Sequence, residues 1–97
     1  MRRGTTPTHT FTLSLDPAVI KKVRITYEQD GFKLVKNDCA INGHTVSVTL
    51  TQDETLSFKD NKPARVQLKV LDQTDKVTVS DIMTFVVYEC LDHEVLA

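Results

Sequence analysis

The chain has 97 residues, 12 basic and 13 acidic, and a net charge of −1. That length is one domain with a small core, and 40% hydrophobic with 26% charged residues argues against disorder. The near-neutral balance and scattered basic residues do not make the basic stripe of a nucleic-acid binder, and no apolar run approaches the ~20 residues of a membrane span.

The chain opens on Met1-Arg2-Arg3 followed by the polar Gly4-Thr5-Thr6-Pro7-Thr8. This lacks the apolar stretch of a secretory leader, so cytoplasmic synthesis and an extended arm over residues 1–8 are expected. From Thr10 the pattern alternates, with Phe11, Leu13 and Leu15 apolar against Thr12 and Ser14. A period of two predicts a strand with one dry face. Asp16-Pro17 predicts a turn. Val23, Ile25 and Tyr27 then alternate with Arg24, Thr26 and Glu28 in a second strand. Asp30-Gly31 is a strong hairpin signal, and Phe32 to Lys36 returns as a third strand. Asn42-Gly43 predicts a second turn of the same type, followed by Thr45 to Leu50 with Val46, Val48 and Leu50 inward.

Thr51 and Glu54 have the spacing of a capping box, so one short helical turn is expected near residues 52–57. Asp60 to Pro63 reads as a loop. Ala64 to Leu71 predicts a strand with Val66, Leu68 and Val70 inward and Arg65, Gln67 and Lys69 outward. Asp72 to Lys76 is a turn. Val77 to Cys90 is too long for one simple strand: Val77 and Val79 share one parity, while Ile82, Thr84, Val86 and Tyr88 share the other. A bulge or break near Ser80-Asp81 is expected, because a slip of one residue swaps faces. Cys90 is placed inward with Val86 and Tyr88, and residues 92–97 form a loosely held tail. The sum is an all-β, antiparallel, immunoglobulin-like sandwich of six to seven strands spanning residues 9–91.

Cys39 and Cys90 are spaced like an inter-sheet pair, and Tyr88-Glu89-Cys90 mimics a tyrosine corner. The absence of Trp and a reducing compartment favour two free thiols. Cys39, His44, Cys90 and His93 could complete a zinc shell, but the spacing is wider than tight knuckles. No nucleophile elbow, zinc-protease or phosphate-loop motif is present. No catalytic residue, cofactor, metal or small-molecule ligand is therefore expected. With no Trp and two Tyr, a carbohydrate-stacking platform is weakly supported. The outward rows Thr45, Ser47, Thr49 and Arg65, Gln67, Lys69 are the better functional candidates, as docking faces with edge strands beside them.

The run Arg3-Gly4-Thr5-Thr6-Pro7-Thr8-x-Thr10-Phe11-Thr12-Leu13 resembles the opening of small proteins in the tail and structural gene clusters of Firmicute phages and prophages. Val48 to Phe58, Val66 to Val70 and Val79-Ser80-Asp81 resemble the same group, so the resemblance covers nearly the whole chain. Its plan is similar to the N-terminal immunoglobulin-like domain of phage baseplate upper proteins, although the long stalk of those proteins does not follow Ala97. The resemblance implies a virion role, with other phage structural proteins or further copies of itself as partners. Candidate contact residues are Arg2, Arg3, Thr5, Thr6 and Thr8 on the arm and Arg65, Gln67 and Lys69 on the sheet. The alternative is a small prophage regulator or inhibitor that binds one host protein.

Overall fold

A computed structural model describes all 97 residues. The strands are β1 (Thr8–Thr12), β2 (Ile20–Gln29), β3 (Phe32–Lys36), β4 (Ala40–Asn42), β5 (Thr45–Thr49), β6 (Pro63–Asp72), β7 (Val77–Val79) and β8 (Met83–Val86), with helix α1 (Gln52–Leu56) between β5 and β6. They form two antiparallel sheets: β1-β5-β4, and β3-β2-β6 with β7 and β8 both on the far side of β6. In immunoglobulin order these are B-E-D and C′-C-F-G, with β7 and β8 as one interrupted G strand. Residues 1–3 stand for the first strand: Arg2 bridges Tyr88 in parallel just past β8.

The turns follow from local chemistry. Asp30 (φ 47°) and Gly31 (φ 87°) both occupy left-handed backbone, as the two-residue loop between paired Gln29 and Phe32 requires. The second hairpin corrects the expectation at Asn42-Gly43. Asn42 pairs with Thr45, so the turn is Gly43-His44, and only the first central residue needs the positive φ that Gly43 supplies at 59°. Asp16 caps a short 3-10 turn, Pro17–Val19, through the Ala18 amide. Thr51 and Glu54 close the expected capping box on α1. Strand β4 was not anticipated, since all three of its residues are exposed and carry no alternation.

Apolar parity builds the core. Ile25 and Tyr27 on β2, Val46 and Val48 on β5, and Ala64, Val66, Leu68 and Val70 on β6 are all buried. Tyr27 meets Phe58 and Phe85 edge-on at centroid distances of 6.1 Å and 6.0 Å. Buried Gln29 ties the loop before β6 to the sheet: its side-chain amide donates to the carbonyls of Lys59 and Lys62 and accepts from the Lys59 amide.

The last strand breaks where the parity slip predicts. β7 pairs with Lys69–Leu71 and β8 with Pro63–Val66. Between them Ser80 bonds Leu68 twice: its amide donates to the Leu68 carbonyl and its hydroxyl oxygen accepts from the Leu68 amide. The extra residue has an unforeseen effect. It sets Val77 and Val79 on the same outer face as Thr84 and Val86, because each faces an outward residue of β6 across the ladder. The inward placement of Val86 and Tyr88 is thereby overturned. Phe85 opposes buried Ala64 and Met83 opposes buried Val66, so Val87 is the buried residue while Val86 and Tyr88 are 48% and 51% exposed. Both cysteines are free, and no cluster of three or more His, Cys, Asp or Glu is arranged for a metal.

Candidate interaction surface

The sandwich presents two outer faces of different chemistry. Outside β1 and β5 stand six hydroxyls in paired rows: Thr8 opposite Thr49, Thr10 opposite Ser47, and Thr12 opposite Thr45. The first two pairs share hydrogen bonds of 2.8 Å and 3.1 Å. No charged residue occurs in either strand.

The outer face of the larger sheet is cationic. Its cross-strand rows are Lys33, Glu28 and Arg65; Val35, Thr26 and Gln67; and Arg24 and Lys69. In the first row Glu28 accepts from Arg65 Nε at 2.9 Å, and that guanidinium holds the Glu28 carboxyl below the usual range. The third row has no such balance. Arg24 and Lys69 stand directly opposite each other, and Lys22 lies one step along β2. None of the three forms an ion pair within the chain. Like charges facing across a ladder are destabilising on their own. Arg24 Nε donates to Asn37 Oδ1 at 3.2 Å, and Lys22, Arg24, Asn37, Lys69 and Val77 frame a shallow hollow of about 200 Å³.

Of the sequence-based candidates, Arg65, Gln67 and Lys69 therefore share one face. Gln67 is partly engaged, donating to the Ser80 carbonyl at 2.8 Å, whereas Lys69 is exposed. Strand register completes this face, bringing Lys22 and Arg24 beside Lys69 and Lys33 beside Glu28. The exposed aliphatics Val77, Val79 and Val86 edge it on one side and Val35 on the other.

The arm candidates lie elsewhere, and residues 1–8 do not reach away from the domain. Met1 N donates to the Val86 carbonyl at 2.9 Å, Tyr88 N to the Met1 carbonyl and Arg3 N to the Tyr88 carbonyl. Arg2 donates to the Glu89 carbonyl and lies 5.7 Å over the Tyr88 ring. Arg3 pairs with Asp60 at 2.5 Å and donates to the Leu56 carbonyl. The Thr5 hydroxyl donates to the Arg2 carbonyl, and the Thr5 carbonyl accepts from buried Thr55. Thr6 is exposed, and Thr8 is the first hydroxyl of the neutral face. Pairing with the unsatisfied edge past β8 is the physical reason the segment folds back. The tail is held at one point, where the Gln52 side chain bonds both the amide and the carbonyl of Leu96.

Two polar groups inside the sandwich escaped sequence reasoning. His9 Nδ1 and the Tyr27 hydroxyl share a 2.6 Å hydrogen bond. Burial pushes the His9 pKa down and the Tyr27 pKa far up, so both are neutral and serve packing. Lys36, inward on β3, places its ammonium 2.9 Å from both carboxylate oxygens of Glu54. No protein-family model, curated protein or solved structure matches the chain. No helix is long and apolar enough to cross a membrane.

Proposed function

We propose that this domain is a non-enzymatic structural module of a phage or prophage tail or baseplate, acting by protein–protein contact within the virion. The observation that carries the contact reading is the unbalanced row on the outer face of the larger sheet, where Arg24 opposes Lys69 beside Lys22 with no carboxylate partner. A face that keeps like charges in register gains when an acidic surface neutralises them. Exposed Val77 and Val79 beside it add apolar area, and aliphatic contact next to charge is the composition of a protein contact more than of a solvated face. The assembly part of the reading is supported by the resemblance of Arg3–Leu13 and Val48–Phe58 to phage structural proteins.

The test has two steps. Mass spectrometry of purified particles from the source phage should find the chain at structural stoichiometry; its absence from particles would sink the virion reading. Substituting Arg24→Glu and Lys69→Glu together should then remove the chain from particles while far-UV circular dichroism stays unchanged. Capture of a single host regulator by the wild-type chain, lost in the same double variant, would favour the inhibitor alternative.

A further inference from the structure

The two open sheet edges, β1 and β7–β8, lie on the same flank of the sandwich and face each other across a groove. One end of the groove holds Phe11, Val66, Met83 and Phe85, about 260 Å³. The other holds Leu13, Leu15 and Val70, about 310 Å³. Its floor is β6, through Val66 and Val70, so it opens directly onto the core.

The backbone groups of both walls that point away from their ladders are unpaired over most of the flank. On β1 the ladder to β5 uses the odd positions, as shown by Leu50 N on the Pro7 carbonyl and Leu13 N on the His44 carbonyl. Alternation then turns the amides and carbonyls of Thr10 and Thr12 outward. On β8 the Val87 amide bonds the Lys62 carbonyl, which turns Thr84 and Val86 outward by the same rule.

The chain itself shows what covers such an edge. Residues 1–3 lie along it in parallel, bonding the Val86 carbonyl and both backbone groups of Tyr88, and Met1 turns its side chain toward the groove. That pairing stops at Val86. The Val86 amide and both backbone groups of Thr84 remain open, in line with the strand that residues 1–3 begin.

We propose that this flank takes an extended, uncharged polypeptide segment of a partner protein, apolar at alternate positions, added in parallel to β8 in continuation of residues 1–3. The inference rests on the reading that the domain works by protein contact, and it names a second contact mode for it. Period-two apolarity follows from the pleat, which points every other side chain at the groove floor. Lack of charge follows from the rim, where Thr10, Thr12, Thr78, Ser80 and Thr84 are hydroxyl-bearing and Asp81 is the one ionisable residue among those lining the open stretch beyond Met1 and His9.

The probe is a blocked eight-residue peptide of alternating threonine and valine, titrated into the full ¹⁵N-labelled chain. Saturation should slow amide exchange at Thr84 and Val86 at least tenfold and leave the β3 and β4 edges unchanged. The substitution Thr84→Pro removes an outward amide that the fold does not use, so the chain should stay folded and bind at least tenfold more weakly. The same peptide N-methylated at alternate amides should also lose at least tenfold, which tests backbone pairing without altering the protein. Equal binding of the N-methylated peptide, or protection confined to β3 or β4, would overturn the proposal. Protection of Thr84 and Val86 in the unliganded chain through self-association would assign the groove to a second copy and overturn the partner strand. Failure here leaves the cationic face untouched, since the Arg24 and Lys69 substitutions read a different surface.

Discussion

Replacing Glu54 by Gln should destabilise the domain by about 2 kcal/mol at neutral pH. The Lys36 side chain is 9% exposed and that of Glu54 21%, with the ammonium bonded to both carboxylate oxygens. An exposed ion pair is worth about 0.2–1 kcal/mol, while removing one member of a fully buried pair costs about 3–5 kcal/mol. This pair lies between those limits. Asp38 is 3.6 Å from the ammonium, but its side chain is 74% exposed and compensates weakly. Gln keeps an acceptor for the Thr51 amide, so the capping box survives in part; Glu54→Ala should lose a further ~1 kcal/mol. Two kcal/mol corresponds to a fall of roughly 8–16 °C in Tm for a domain of this size.

The pH dependence follows from the same contacts. Burial works against the Glu54 charge, but the Thr51 amide and the Lys36 ammonium outweigh it and hold the carboxyl below its usual value. A depressed carboxylate contributes stability that is present above its unfolded value of 4.5 and is lost as pH falls through the folded one. The gap between wild type and Glu54→Gln, read by urea unfolding, should therefore be full at pH 7 and close at acid pH. Adding Lys36→Met should recover much of the loss by removing the stranded charge. A cost under about 0.5 kcal/mol at pH 7, or a gap that persists unchanged into acid, would refute the reasoning.

Four further expectations concern other parts of the fold. Tyr27→Phe should cost about 1–2 kcal/mol in urea unfolding, because it strands His9 Nδ1 in a half-buried site. Burial holds the His9 pKa below its unfolded 6.5, so the unfolded chain binds the proton first; stability should fall as pH drops from 7 to 5, and His9→Gln should flatten that slope. Deleting residues 1–7 should lower stability by about 2–4 kcal/mol by differential scanning calorimetry, since the segment satisfies groups at Leu50, Thr55, Asp60, Val86 and Tyr88; an unchanged Tm would show that it does not dock. Gly31→Val should cost about 1–2 kcal/mol in thermal melts, because a β-branched residue resists a φ of 87°.

The alternation of Val23, Ile25 and Tyr27 and of Val66, Leu68 and Val70 was enough to place the core strands, and the Thr51–Glu54 spacing was enough for the helix. These are local signals whose partners lie within a few residues. What could not be read is set by register between distant segments. The facing of Arg24 and Lys69 depends on how β2 slides against β6. The exposure of Val86, and of Tyr88 two residues on, depends on which β6 residue opposes Val86 after the step at Ser80. Lys36 gave no hint of an inward position, since a lysine at an apolar parity signals burial only when its carboxylate, 18 residues on, is known to reach it. The arm was misplaced for a related reason: a polar, Gly- and Pro-containing segment has no period to reveal that a sheet edge waits for it 85 residues later.

The contrast between the two outer faces makes ionic strength a way to tell them apart. Attraction to the cationic row of Lys22, Arg24 and Lys69 is screened within about 8 Å at physiological salt and fades further above it. The hydroxyl rows of β1 and β5 carry no charge, and contacts made there are indifferent to added salt. An assembly containing this domain that loosens between 0.05 M and 0.5 M salt is therefore held by the larger sheet, and one that does not is held by the smaller sheet or by the flank between them.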